Sequence, residues 1–187
     1  MFEKLLKSTA ALALVLGCAS CGGSNTVSGI VNRDVITAED GYAEGGMGDT
    51  IGTAWFNLTV NSAELVDSYG SVQPDAGEEL LVVNVSMQNT FGDSVLMFDS
   101  DFQAQWGSEG DEDYRYPVTI NGVAPEKNML ASEYNLDAGK TVTGDLVFSV
   151  PGGMDEYSLS FMEYFAPEEE GGEDTPGDLF FIYFKAE

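Results

Sequence analysis

The sequence predicts an all-β protein: an antiparallel, immunoglobulin-like β-sandwich of about seven or eight strands, preceded by a signal peptide and a flexible tether. Three observations predict it. From Phe56 onward apolar residues alternate with polar ones at period two. The alternating runs are short, evenly spaced and separated by Gly, Asp, Asn and Pro. After the first apolar run, no window carries a persuasive amphipathic helix. The chain divides into a signal over 1–17, a lipidated N-terminus and tether over 18–50, and the sandwich over 51–187.

Lys4 and Lys7 precede a short apolar run, Ala10 to Leu16, which leads into Gly17-Cys18. A charged n-region, a brief apolar segment and a small residue before the cut site form a secretory signal. The run is too short to span a bilayer, which needs roughly 20 residues. With a cysteine directly after the small residue, the segment resembles the bacterial lipobox. That resemblance implies diacylglyceryl transfer to the thiol, cleavage before it and acylation of the new N-terminus. Cys18 is the expected site, and Cys21, preceded by Ala19 and Ser20, is the alternative. A disulfide between the two has little to staple at a chain terminus. With 2 cysteines in all, the sandwich has no internal disulfide and relies on its core.

The 187 residues include 32 acidic and 7 basic side chains and no histidine, for a net charge of −25. Such a balance excludes nucleic acid as a partner, because phosphates need Lys and Arg to displace their counterions. It also disfavours docking on anionic lipid through the protein itself, so the membrane is reached through the N-terminal lipid. Solubility and mutual repulsion at a crowded surface account for the charge, with a cationic or protein partner as the other reading.

Gly22 to about Thr50 is rich in Gly, Ser, Asn, Thr and acids and reads as a tether, with an edge strand over Ser28–Thr37 as the alternative for part of it. Its reach is roughly 30 Å, which keeps the domain near the membrane. Strand alternation then starts at Phe56-Leu58-Val60 and continues through Ala63 and Leu65. Leu81, Val83, Val85 and Met87 share one face of the next run, and Leu80 and Val82 the other, as in a central strand covered on both faces at one end. Further strands follow at Phe102–Trp106, Tyr114–Tyr116, Thr141–Val150, Tyr157–Phe165 and Leu179–Lys185. Glu126–Asn135 has room for one helical turn. The aromatics Trp106, Phe148, Phe161, Tyr164, Phe180 and Phe184 mostly fall where strands need inner-face filling.

Two stretches carry a family resemblance. One is Glu79 to Asn89, ELLVVNVSMQN; the other is Leu136 to Pro151, LDAGKTVTGDLVFSVP, a Gly-Lys-Thr turn entering a Gly-containing strand that ends Val-Pro. With the Tyr157–Phe161 strand behind them, they resemble a bacterial lipoprotein family with a telokin-like immunoglobulin-fold domain of unknown function. The likeness covers most of 51–187 and departs from it at the acidic loop Pro167–Asp178 and the very aromatic final strand. It implies a fold and a surface location, and it supplies no catalytic residues.

The missing histidine removes the commonest general base and the usual zinc imidazole. No Gly-x-Ser-x-Gly elbow is present. Gly139-Lys140-Thr141 lacks the first glycine of a phosphate loop and reads as a turn. Acidic clusters are the remaining chemical candidates. Asp99 and Asp101 precede one strand, and Asp111 and Asp113 lie in the loop after it. Together they are candidate calcium ligands, since hard oxygens suit Ca²⁺. A hairpin there would put the two pairs at opposite ends of the strand. Glu168, Glu169 and Glu170 sit in a long loop of the kind that carries binding on rigid sandwiches. Tyr114 and Tyr116, beside an acidic loop, are the candidate recognition aromatics.

The sequence therefore leads to a lipid-anchored, extracytoplasmic, non-enzymatic binding or interaction module. No cofactor is expected apart from the candidate calcium. The alternatives are a surface hydrolase using paired carboxylates and, more weakly, a calcium-binding surface module.

Overall fold

The computed structural model describes residues 34–107, 114–167 and 172–187. Among them are twelve strands: β1 Ile36–Thr37, β2 Tyr42–Gly46, β3 Ile51–Gly52, β4 Phe56–Val66, β5 Glu78–Asn89, β6 Val95–Phe98, β7 Phe102–Gln105, β8 Tyr114–Arg115, β9 Glu133–Leu136, β10 Thr141–Pro151, β11 Glu156–Phe165 and β12 Thr175–Lys185. The first sheet has the order β1-β3-β4-β5-β10 and the second β2-β12-β11-β7-β8, while β6 and β9 form a small pair. Both long sheets are antiparallel along their centres. Between the strands named here, parallel pairing is confined to β1 with β3 and β2 with β12.

The two sheets face one another as a sandwich. Inward residues of the first sheet, Leu58, Val60, Leu81, Val83, Val85 and Phe148, meet Phe102, Leu159, Phe161, Phe180 and Ile182 of the second. Phe56 reaches across to Phe161 edge-on, with ring centroids 5.0 Å apart. Each buried large apolar side chain contributes about 1.5–3 kcal/mol of transfer free energy, so this layer is the main source of stability.

β5 lies between β4 and β10 and behaves as its two-faced pattern predicts. Leu81, Val83, Val85 and Met87 enter the main core. Leu80 and Val82 join Val147 on the outer face, under Tyr69, Val72 and Met129. The segments before β5 and before β9 thus fold over the outside of the first sheet.

Three expectations change. The stretch from 36 to 46, expected as tether, is sheet structure, so the sandwich starts near Ile36 instead of residue 51. Backbone pairing holds these strands, and in β2 Ala43 is the one buried side chain, so there was little alternation to see. The helical turn expected within Glu126–Asn135 is not a helix: the segment makes one hydrogen-bonded turn, with the Met129 N–H on the Glu126 carbonyl at 2.8 Å and Lys127 at φ 51°, and Glu133–Leu136 is β9. Tyr164 is 57% exposed and does not fill the core. The reading of Gly139-Lys140-Thr141 as a turn holds: the Lys140 N–H donates to the Asp137 carbonyl at 2.9 Å and Gly139 has φ 69°.

Candidate functional site

Alternation fixes which side chains of the second sheet point outward. On β12, Phe180 and Ile182 fill the core, so Phe181 and Tyr183 face out. On β11 the core takes Tyr157, Leu159 and Phe161, which leaves Ser158 and Ser160 outside. Phe102 and Ala104 of β7 are likewise internal, and Gln103 and Gln105 external. Register then aligns these residues in rows. One row runs Gly46, Tyr183, Ser158, Gln105, Tyr114, and the next Glu44, Phe181, Ser160, Gln103. Tyr116 joins the second row by accepting a 2.9 Å hydrogen bond from Gln103 Nε2.

The face has relief. Ser158 and Ser160 are only 5% and 4% exposed, whereas Tyr183 is 49% exposed and Tyr42 37%. Small hydroxyl side chains thus form a floor between an aromatic wall on β12 and β2 and the Tyr114–Tyr116 pair at the other side. At about 4.8 Å per strand, Tyr183 and Tyr114 stand about 14 Å apart. The wall is built of contacting rings: Phe181 and Tyr183 are nearly parallel at 14° with centroids 6.1 Å apart, and Tyr42 lies 5.7 Å from Phe181. Tyr114 and Tyr116 meet edge-on at 5.7 Å.

Hydrogen bonds link the polar groups. Gln105 Nε2 donates to Ser160 Oγ at 3.2 Å and to Gln103 Oε1 at 3.3 Å. The Tyr42 hydroxyl donates to Glu44 Oε2 at 2.8 Å. Burial raises the Tyr42 pKa well above the ordinary phenol range, and its contacts with Tyr183 and Glu44 add to the rise. Glu44 is the one charged side chain in the two central rows. One end of the face is closed by Lys185, which pairs with Glu156 at 2.9 Å and Asp155 at 3.4 Å.

Arg115 points the other way from its neighbours. Its guanidinium bonds Glu78 Oε1 at 3.1 Å on the first sheet and lies 5.3 Å from the Trp106 ring centroid. It pins β8, and with it Tyr114 and Tyr116, to the body of the sandwich.

Of the residues singled out in the sequence, Tyr114 and Tyr116 stand together on this face. Asp99 and Asp101 occupy a 3-10 turn between β6 and β7. Asp99 is buried, and its Oδ2 has no hydrogen-bond partner. Asp101 Oδ2 accepts the Phe98 N–H at 2.8 Å. Burial pushes the Asp101 carboxyl up, the Phe98 bond draws it down, and the Asp99 charge raises it further. β7 and β8 form the expected hairpin, with Gln105 opposite Tyr114. The connection to Tyr114 therefore leaves β7 at the end away from Asp99. Cys18, Cys21, Asp111, Asp113, Glu168, Glu169 and Glu170 lie outside the described residues, as do positions 18–33 of the expected tether. Among the described residues, no three His, Cys, Asp or Glu side chains gather as a metal site.

Gln103, Gln105, Ser158, Ser160, Phe181 and Tyr183 were not singled out as site residues from sequence. Each reads there as an ordinary outward position of an alternating strand. Their only joint signal is negative: in a chain with 32 acids, the outward positions within 103–105, 158–160 and 181–183 carry no charge.

Three solved structures are similar to parts of this chain. The yjhA protein of Bacillus subtilis is 22% identical with a TM-score of 0.48, over 74% of this chain and 99% of that one. A candidate lipoprotein, ycdA, also of Bacillus subtilis, is 20% identical with a TM-score of 0.47, over 73% of this chain. The match spans only 38% of the length of that ycdA chain. An uncharacterized beta-sandwich protein of Clostridium difficile is 13% identical with a TM-score of 0.42, over 79% of this chain and 97% of that one. No curated protein matches the chain. Residues 45–170 match the family described as Domain of unknown function (DUF4352), and the chain belongs to that family.

Proposed function

We propose that this protein is a lipid-anchored, extracytoplasmic surface protein that acts as a non-enzymatic binding module. Its contact face is the outer face of the β2-β12-β11-β7-β8 sheet. The observation that carries the reading is the pairing of half-exposed Tyr183 and partly buried Phe181 with the polar floor of Ser158, Ser160, Gln103 and Gln105. Aromatic rings that are exposed on a rigid sheet and held by one another bring large contact area at little entropic cost. The location rests on Lys4, Lys7, the short apolar run and Cys18. The telokin-like variety of immunoglobulin fold belongs to the same proposal, on the strength of the Leu136–Pro151 stretch.

A two-carboxylate hydrolase suits the face poorly, since its central rows hold a single acid, Glu44. The test uses the full chain purified in neutral detergent, immobilised and exposed to solubilised envelope fractions. An envelope component should be retained by the wild type and lost with the Phe181→Ala/Tyr183→Ala double variant, whose folding is checked by its thermal melt. Equal retention by both proteins would defeat the face assignment. Fatty-acid labelling that persists undiminished in Cys18→Ala would move the anchor to Cys21.

A further inference from the structure

We infer that the ligand of this face is an uncharged polysaccharide, lying in the trough between the Phe181–Tyr183 wall and Tyr114. The inference rests on the binding-face reading above and assigns its chemistry. Charge decides the class first. The chain carries a net charge of −25, and the face offers no free cation, so a polyanionic polymer is repelled at long range. A polycation would be drawn to the acid-rich remainder of the surface before this strip, whose central rows hold one charge, Glu44. A second copy of the chain brings the same repulsion. An uncharged partner is the complement that remains.

The groups on the face then match sugar chemistry. A sugar ring has a C–H face and a rim of hydroxyls. Phe181 and Tyr183 present two nearly parallel rings, 6.1 Å between centroids, against which successive C–H faces can pack. Ser158, Ser160, Gln103 and Gln105 border them with both donors and acceptors, as hydroxyl rims require. Gln105 Nε2 is divided between two long bonds, 3.2 and 3.3 Å, and can exchange either for a ligand hydroxyl without leaving a buried orphan. An extended peptide fits less well. Peptides that bind sheets pair with an edge strand through main-chain groups, and the backbone of β11 is already paired on both sides.

The test is affinity electrophoresis of the full chain in neutral detergent, through gels cast with neutral polymers (dextran, soluble starch, mixed-linkage β-glucan, mannan, galactan) and with hyaluronan as the polyanion. At least one neutral polymer should retard the protein, with little change from low to moderate salt, and hyaluronan should not. Tyr183→Ala and Phe181→Ala should each weaken retardation about tenfold or more, as loss of a central aromatic anchor does. Phe91→Ala, an exposed aromatic outside the face, should leave it unchanged. Retardation by no neutral polymer, or retardation that survives both face variants, overturns the sugar assignment. If an envelope protein is still captured through Phe181 and Tyr183, the binding face stands and only its ligand class falls. If the face variants change neither capture nor retardation, both fall.

Discussion

The Tyr69 hydroxyl donates to Asp145 Oδ2 at 2.7 Å, on the outer face of the first sheet. Asn84 Nδ2 holds the other carboxylate oxygen at 2.6 Å. The Asn128 N–H donates to Tyr69 Oη at 3.2 Å, and the Lys127 ammonium lies 4.7 Å from the ring centroid. Two covering segments are thereby fastened to one carboxylate of β10, over the cluster of Leu80, Val82 and Val147. Without that cover these three apolar side chains would face water.

Tyr69→Phe removes the phenol while keeping the ring, and should cost about 1–2 kcal/mol at neutral pH, read as a lower urea midpoint. Burial, and next the bond to Asp145, push the Tyr69 pKa from 10.0 up to about 12. Between those values the unfolded chain has released the proton that the native chain keeps, so stability falls as pH rises. The contribution is complete below pH 10 and gone above about pH 12. The variant should therefore lose stability less steeply over that window. Equal slopes in the two proteins would contradict the linkage. Tyr134 and Tyr42 are shifted upward as well, so part of the alkaline loss persists.

Gly144 sits where β10 meets the cover. A Cβ there would lie 2.5 Å from Leu130 Cδ2 and 2.9 Å from the Asn128 carbonyl oxygen. The Asn128 carbonyl is itself held by the Asp145 N–H at 2.9 Å, so it has no easy retreat. Gly144→Ala should destabilise by about 1–3 kcal/mol through overpacking. The control is Gly139→Ala, whose Cβ meets nothing within 4 Å. Its cost comes from positive φ alone, about 1–2 kcal/mol. Denaturant melts of the two variants separate steric from conformational loss, because the Gly144 variant alone should also increase hydrogen exchange at Leu130, whose N–H bonds the Asp145 carbonyl.

The long strands were legible because one of their faces is apolar and the other is not. β5 could even be read as covered on both sides, since Leu80 and Val82 broke the alternation. β6 escaped notice because Val95, Leu96, Met97 and Phe98 are all apolar, yet only Met97 is buried. β1 and β2 join their sheets through backbone bonds to distant strands, which side-chain periodicity does not record. The candidate face was half legible. Tyr114 and Tyr116 stood out beside an acidic loop, but the serines and glutamines acquire meaning only through the register of β7, β11 and β12.

Glu163 is buried on the inward side of β11, where Gly177 and Asp178 of β12 bulge opposite it. Its carboxylate accepts the Ala54 N–H at 2.6 Å and the Asp178 N–H at 3.3 Å. One side chain thus ties the turn before β4 to the bulge of the other sheet. Glu163→Ala should lower stability by about 2–3 kcal/mol, and Glu163→Gln by about half of that, because the amide oxygen still accepts one bond. Urea midpoints of the two variants decide. Equal losses would mean that packing against Gly177 matters more than the two hydrogen bonds.

Asp99 presents the opposite case, a carboxylate that is 4% exposed with one oxygen unpartnered and Asp101 close by. An unpaired buried charge opposes folding, and here the neighbouring acid adds repulsion. Asp99→Asn keeps the shape and removes the charge, so it should raise stability by about 1 kcal/mol or more at neutral pH. The same site decides the calcium reading. A cation held by Asp99 and Asp101 would relieve both carboxylates and stabilise the native state by about 2.7 kcal/mol at a hundredfold excess over its dissociation constant. Calcium would then lift the melting midpoint of the wild type above its value in sodium chloride of equal ionic strength, and would not lift that of Asp99→Asn. The β7–β8 hairpin leaves only these two carboxylates at this end of β7 among the described residues, fewer oxygens than calcium takes. The expected result is therefore equal midpoints in the two salts, with Asp99→Asn the more stable protein in both.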